Sequence, residues 1–318
     1  MMLQEFEFEK PILELQSAIE QLKNQPARNI DEVSAQIARL EALCCKRMEK
    51  IYSNLTPIQT VQIARHPQRP VLQDYISLIF SDFIEMHGDR HFGDDQALIG
   101  GFATIENTKV MLIGHNKGKN VDENLKRNFG MARPEGYRKA LRLMKLAEKY
   151  GLPVISFVDT AGAYPGLDAE ERGQAEAIAK NLLEMSRLRT PFIAVISGEG
   201  GSGGALGIAV GDVVLMLSYA IYSVISPEGC ASILWRDAAF APQAAKALKL
   251  DAHSLKELGV IDEIIHEPLG GAHKDYTAAA TQIKLALVRH LKRLSAQPIS
   301  ELLSNRFEKF SSMGKFNL

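Results

Sequence analysis

Cysteine is scarce in this chain of 318 residues, which holds three of them. Cys44, Cys45 and Cys230 form no C-x-x-C pair, and their odd number argues against a disulfide framework. A protein without disulfides suits a reducing compartment, so we expect a cytoplasmic location. The acidic N-terminus lacks an apolar core and is not expected to be a signal peptide.

Long apolar runs and an excess of one charge are missing as well. No stretch approaches the ~20 apolar residues that span a membrane. The 37 lysines and arginines balance 38 aspartates and glutamates, which leaves a net charge of −1. A chain of this charge has no global field that draws it to nucleic acid or to an anionic surface. We therefore expect neither nucleic acid nor a membrane among its partners.

The sequence also offers little side-chain chemistry. It contains no H-E-x-x-H and no Cys/His cluster at metal-ligand spacing, and its eight histidines are scattered. Asp159 and Glu199 flank glycine-rich loops, but a lone carboxylate beside such a turn is more often a hydrogen-bonding brace than a catalyst. No metal site and no strong candidate for a catalytic base are therefore predicted.

Glycine, by contrast, is concentrated at one place. An apolar run from Ile193 leads into residues 198–204, where five of seven residues are glycine, and a helix of small residues follows. Glycines permit positive φ and let another atom approach bare N–H groups. At a helix start those N–H groups lack intrahelical partners and lie at the positive end of the helix dipole. The stretch predicts a pocket for a negatively charged oxygen.

Four interpretations of this glycine loop compete. A P-loop is excluded, because Ala205 and Leu206 follow the last glycine where Lys and Ser or Thr are needed. Gly198, Gly200 and Gly203 spell the dinucleotide fingerprint, but the following helix is too short and the next strand ends without an acidic residue. An oxyanion hole and a tight packing turn both remain open at this point.

Periodicity and capping residues predict an α/β chain. The predicted helices cover 11–24, 31–52, about 72–85, 134–150, 170–188, 226–235, about 241–258 and about 274–295, and the predicted strands cover 98–105, 110–115, 154–158, 192–197, 213–217, 221–225 and 260–265. Two glycine-bearing loops, 159–167 and 198–204, each follow a strand and are separated by one helix. Because ligands bind outside the carboxyl ends of parallel strands, we expect both loops to line one site.

Several longer motifs point to a family. They are A-R-H-P-Q-R-P at 64–70, N-F-G-M at 128–131, P-E-G-Y-R-K-A at 134–140, G-A-Y-P-G at 162–166, E-E-R-G-Q at 170–174, G-E-G-G-S-G-G at 198–204 and Y-S-V-I-S-P-E-G-C-A-S-I-L-W at 222–235. In this order they resemble the alpha subunits of bacterial acetyl-CoA carboxylase carboxyltransferases, over nearly the whole chain. The resemblance implies a crotonase-like spiral of ββα units at 56–296, an N-terminal helical arm at 1–55 and a C-terminal tail at 297–318.

The resemblance also implies partners and a reaction. The family forms an α₂β₂ enzyme with a zinc-bearing carboxyltransferase beta subunit and works with biotin carboxylase. Its substrates are acetyl-CoA and carboxybiotin, which is carried on the biotin carboxyl carrier protein, and its product is malonyl-CoA for fatty-acid synthesis. By resemblance, the biotin left after CO₂ release takes the proton from acetyl-CoA, which agrees with the missing side-chain base.

Site residues follow from the same resemblance. The amides of Gly203 and Gly204 are expected to hold the ureido oxygen of biotin, while the beta subunit holds the thioester enolate. The substrate-binding residues are expected to be Gly162, Ala163, Tyr164, Gly166, Gly200 and Gly201.

Two other functions stay open on the sequence. A stand-alone crotonase-like hydratase or isomerase would use a carboxylate near the loop, for which Glu199 is the candidate. A non-catalytic scaffold would use the glycines for packing alone. The sequence also leaves open whether the basic segment 117–127 touches CoA phosphates.

Overall fold

The structure is a computed structural model that describes residues 6–24 and 30–314. The α-helices are α1 (Lys10–Lys23), α2 (Ile30–Tyr52), α3 (Pro57–Ala64), α4 (Leu72–Ile79), α5 (Val121–Lys126), α6 (Pro134–Tyr150), α7 (Leu167–Glu171), α8 (Gln174–Ser186), α9 (Ser202–Leu206), α10 (Pro227–Trp235), α11 (Ala241–Leu248), α12 (Ala252–Glu257), α13 (Tyr276–Ser295) and α14 (Ile299–Ser311). The strands are β1 (Ser81–Glu85), β2 (Leu98–Ile105), β3 (Thr108–His115), β4 (Val154–Thr160), β5 (Phe192–Gly201), β6 (Val213–Leu217), β7 (Ile221–Ser223) and β8 (Glu263–Ile265). Short 3-10 helices cover Glu7–Glu9, Asn128–Gly130 and Ala238–Phe240.

One mixed sheet forms the centre of the molecule. Its strand order is β1-β2-β3-β4-β5-β6-β8, with β7 paired to β5. β1, β2 and β3 pair antiparallel, whereas β3, β4, β5, β6 and β8 pair parallel. Helices pack against this sheet, so β4, β5 and β6 are buried along nearly their whole length. Such strands read as continuous apolar runs in the sequence.

β5 has two sets of neighbours along its length. Its first part pairs with β6, from Ile193 opposite Val213 onward. Its last residues pair instead with β7, where Glu199 lies opposite Ile221. On its other edge β5 pairs with β4 up to Gly200. The carboxyl end of β5, which includes the first residues of the glycine loop, is therefore enclosed on both edges.

Predictions that rested on local signals are confirmed. The strands predicted over 98–105 and 110–115 pair as the hairpin of β2 and β3, with β3 beginning two residues earlier, at Thr108. Helix α6 begins at Pro134 and ends before Gly151, which takes the left-handed φ of 64°. Ser226 caps α10 by accepting a hydrogen bond from the Gly229 amide, with Pro227 at the first helical position.

Three predicted elements are corrected. The helix predicted over 72–85 ends at Ile79, because Phe80 is extended and the following residues form β1 against β2. The helix predicted over 170–188 is broken at Gly173, whose φ of 83° separates α7 from α8. Within 297–318, where no helix was predicted, α14 docks on the body through Leu302 and Arg306, both 1% exposed.

The terminal helices pack in two different ways. α13 turns its apolar stripe, which includes Ile283, Leu287 and Leu291, into the main core. α1 and α2 instead pack on each other around a smaller core that contains Ile19 and Cys44. Within the described ranges, no helix is long and apolar enough to cross a membrane.

A buried carboxylate in the loop before β2 predicts acid sensitivity. Burial alone would raise the pKa of Asp89, but Arg138 and the amides of His91, Phe92 and Gly93 lower it to about 2 from 3.8. Because the folded pKa is the lower one, the ionised group stabilises the native state above pH ~4, and this stabilisation is lost as the pH falls towards 2. From this group we expect a loss of about 1 kcal/mol between pH 6 and pH 3.

Urea denaturation at the two pH values measures this loss. In Asp89→Asn no group titrates at this position. Between pH 6 and pH 3 its free energy of unfolding should therefore fall by about 1 kcal/mol less than that of the natural chain. An identical pH dependence in both proteins would contradict the prediction.

Candidate functional site

The two glycine-bearing loops meet at one edge of the sheet. A Cβ atom on Gly204 would lie 2.3 Å from the carbonyl carbon of Gly162 and 2.5 Å from the nitrogen of Ala163. A Cβ atom on Gly201 would lie 2.0 Å from the carbonyl oxygen of Ala161. The backbones after β4 and β5 thus touch directly, which confirms the predicted convergence of the loops.

These glycines let the two backbones approach each other and do not adopt unusual backbone conformations. None of the five glycines between 198 and 204 has a positive φ. The residue that does is Ser202, with φ of 47°, at the junction of β5 and α9. Of the two uses of glycine that the sequence allows, positive φ and close approach, only close approach occurs here.

Gly203 and Gly204 occupy the first turn of α9, where backbone N–H groups have no intrahelical acceptors and carry the positive end of the dipole. Their surroundings differ. A Cβ atom on Gly203 would meet nothing nearer than Ile178 at 3.8 Å, whereas Gly204 is closed in by the opposite loop. The Gly204 carbonyl accepts a hydrogen bond from the Tyr137 hydroxyl at 3.3 Å, which helps to fix its peptide.

The opposite loop is held in place through the backbone and the aromatic ring of Tyr164. The Tyr164 amide donates to the carbonyl of Ala132 at 3.0 Å, and the Tyr164 carbonyl accepts from the Gln174 side chain at 3.0 Å. The Arg133 guanidinium lies over the Tyr164 ring, 4.4 Å from its centroid. A Cβ atom on Gly166 would lie 2.3 Å from the Cε1 atom of this ring, so a side chain at that position would have to displace the ring. Tyr164 is consequently half-buried and anchored.

Asp159 and Glu199 are both held in hydrogen bonds and ion pairs beside the glycine loop. One Asp159 oxygen accepts hydrogen bonds from the Glu199 amide at 2.9 Å and from the Lys117 ammonium at 2.6 Å. The Glu199 carboxylate is bound by Arg65 at 2.6 Å. Both carboxylates line a cleft of about 380 Å³ beside the loops, together with Arg65 and Lys117. Each carboxylate is thus paired with a cation of the chain through one of its oxygens.

Three of the four cations of the basic segment 117–127 are paired within the chain. Lys117 binds Asp159, Lys119 binds Asp74 at 2.5 Å, and Arg127 lies 3.4 Å from Glu123.

Residues 200–204 also spell G-x-S-x-G, the pattern of a nucleophile elbow, and Ser202 has a strained strand-to-helix geometry. An active serine needs an imidazole base, and in the described part of the chain no histidine is hydrogen-bonded to Ser202. Among those residues, no cluster of His, Cys, Asp or Glu could hold a metal ion either. The turn therefore presents backbone amides rather than an activated hydroxyl.

Sequence reasoning assigned no role to Arg65, which reaches the site from 134 residues away. The available signal was its place in the 64–70 motif. Periodicity could not reveal its partner, because the ion pair joins elements that are distant in the sequence.

Solved structures place this architecture in a class. The chain is similar to transcarboxylase 12S, with a TM-score of 0.58 and 20% identity over 71% of this chain and 42% of that one. It is also similar to the beta subunit of geranyl-CoA carboxylase from P. aeruginosa, with a TM-score of 0.56 and 15% identity over 77% of this chain and 46% of that one. The fold is thus the α/β crotonase-like fold of carboxyltransferases, as predicted.

Sequence comparison identifies the family. The model described as "acetyl co-enzyme A carboxylase carboxyltransferase-like" matches residues 5–314. Proteins named acetyl-coenzyme A carboxylase carboxyl transferase subunit alpha are 56% identical in Geobacter metallireducens, over 98% of both chains, and 53% identical in Hydrogenovibrio crunogenus, over 100% of both. The chain belongs to this family of carboxyltransferase alpha subunits. The predicted family and carboxyltransferase function are thereby confirmed.

Proposed function

We propose that the chain forms the biotin side of an acetyl-CoA carboxylase carboxyltransferase, with the Gly203 and Gly204 amides as its oxyanion site. The observation that carries this proposal is the backbone contact between the two loops at Gly162 and Gly204. This contact fixes the first turn of α9, where two successive N–H groups lack intrahelical acceptors. A pair of fixed donors is what stabilises a developing negative charge on oxygen.

The residues present fit a biotin ureido group. The Cβ position of Gly203 has no neighbour nearer than Ile178 at 3.8 Å, so there is room for another molecule on that side of the residue. Carboxybiotin on a carrier protein would supply the carboxyl group and, after losing it, the proton acceptor. We assign the facing wall to Gly162, Ala163, Tyr164 and Gly166. Gly200 and Gly201 complete the binding residues by letting the backbones close together.

The chain's own side chains offer poor alternatives for the proton transfer. Glu199, the candidate base of a stand-alone hydratase or isomerase, is bound by Arg65 and its side chain is 9% exposed. Burial lowers the pKa of His115 to about 3, so its ring is neutral and weakly basic at pH 7. These contacts favour the carboxyltransferase over a hydratase that acts alone.

The proposed partners follow from the number of charges that the reaction develops. One pair of amides serves one charge, whereas carboxyl transfer to a thioester develops charge on two oxygens. We assign the second oxygen, and most of the CoA pocket, to a carboxyltransferase beta subunit in an α₂β₂ complex. The biotin carboxyl carrier protein delivers the carboxyl group, and biotin carboxylase loads it.

Assaying the purified chain with and without the beta subunit tests the proposal. In the reverse reaction, from malonyl-CoA and free biotin, we expect the chain alone to be at least about a hundredfold slower than the mixture, the scale of one lost oxyanion site. Sedimentation should show the complex in the active mixture. An isolated chain that matches the rate of the mixture would refute the proposed division.

A further inference from the structure

The 64–70 segment contributes two arginines that hold the carboxyl end of β5. The Arg69 guanidinium is buried, donates to the Ser197 carbonyl at 2.8 Å and makes two bonds of 2.8 Å to Glu267. Arg65 donates to the Glu199 carboxylate at 2.6 and 3.1 Å and to Glu228 at 2.9 Å. Hydrogen bonds between charged groups are about twice as strong as neutral ones.

A third contact holds the same stretch from the opposite strand. Asp159, at the end of β4, accepts the Glu199 amide at 2.9 Å and is itself bound by Lys117. Glu199 is thus fixed through its amide by Asp159 and through its carboxylate by Arg65. Four residues further on, the chain reaches the first of the two proposed oxyanion amides, at Gly203.

We propose that Arg65 is a positioning residue for the oxyanion amides. This inference rests on the proposed role of Gly203 and Gly204. Arg65 acts by fixing Glu199, and hence the direction in which β5 enters the glycine loop. It also joins β5 to α10 through Glu228, so two elements share one cation. Arg65 needs no contact with substrate for this role.

Arg65 can be tested without unfolding the chain. About a third of its side chain is exposed, at 31%, and its carboxylate partner Glu228 is 46% exposed. Lys145 provides a matched control, since it also bridges two carboxylates, Glu148 and Glu184, and its side chain is 40% exposed. Its bridge joins α6 to α8 and does not include the end of β5.

The experiment compares Arg65→Gln with Lys145→Gln in the complete complex with the beta subunit. The substrates are malonyl-CoA and biotin, and amide hydrogen exchange of residues 193–209 is measured on the same proteins. We expect Arg65→Gln to lower kcat at least tenfold, to leave KM for malonyl-CoA within twofold, and to speed exchange in the glycine loop. Lys145→Gln should leave all three quantities within twofold.

Further variants separate positioning from loss of stability. Glu199→Gln should also lower kcat, but less than Arg65→Gln does. The double variant Arg65→Gln with Glu199→Gln should lose less kcat than the product of the two single fold losses. If Arg65→Gln does not assemble, Glu199→Gln is judged by the same kcat and exchange measurements.

Two results would be decisive against parts of this scheme. Unchanged exchange and kcat in a folded, assembled Arg65→Gln complex would overturn the positioning role. Faster exchange with unchanged kcat would also overturn it, whereas the oxyanion role of the glycines is tested separately by the Gly203→Val complex.

Discussion

We expect Gly203→Val to lower kcat about a hundredfold while the chain stays folded. The structure allows the side chain itself, because Gly203 has no left-handed φ and its Cβ atom would contact only Ile178, at 3.8 Å and beyond. A branched side chain there must nevertheless displace a ligand that approaches the amide. KM for malonyl-CoA should change much less, because the CoA pocket is proposed for the beta subunit.

A control must separate this effect on kcat from any general effect of replacing a glycine by valine. At Gly93 a Cβ atom would meet nothing within 4 Å and φ is again not left-handed, so Gly93→Val should leave kcat within twofold. Gly204→Ala is a different experiment, because its Cβ atom would overlap the backbone at Gly162 and move both loops. A folded, assembled Gly203→Val complex with normal turnover would leave these glycines as packing residues.

The second large effect concerns stability and lies at Arg306. Its guanidinium is buried, makes two bonds of 2.8 Å to Asp212, and donates to the carbonyls of Met185, Leu188 and Thr190. Arg306→Met would leave Asp212, whose side chain is 4% exposed, as a buried charge without its guanidinium partner and with the Phe192 amide as a remaining hydrogen-bond donor. Breaking a buried pair in this way costs about 3–5 kcal/mol, so we expect that loss in the free energy of unfolding.

Guanidinium denaturation measures this loss, with Arg289→Met as control. Arg289 pairs with Glu263 on the surface and is 60% exposed, so its removal should cost about 0–1 kcal/mol. Equal losses in the two variants would show that the buried contacts of α14 do not stabilise the body.

The elements that the sequence predicts well are those with local signals. Pro134 and Gly151 mark the two ends of α6, and Ser226 marks the start of α10, because caps act within a few residues. The convergence of the glycine loops was predictable too, since parallel strands bring their carboxyl ends to one edge.

Features that depend on distant partners were not predictable. The residues of β1 fit a helix until β2 offers its hydrogen bonds. In α14, Arg306 resembles any surface arginine in the sequence, and only the fold brings Asp212 to it. The same holds for Arg65 and Glu199 beside the candidate site.

Ser202 shows a conflict between local preference and global fold. A non-glycine residue in the left-handed region costs roughly 1–2 kcal/mol, which is about a tenfold factor in an equilibrium constant. A glycine would adopt this φ without that cost, and five of the seven residues at 198–204 are glycines, yet the residue with positive φ is a serine. Such frustration is found where a segment serves function rather than stability. A redesign for thermostability would favour glycine at this position, and would thereby give the loop beside the two amides more freedom to move.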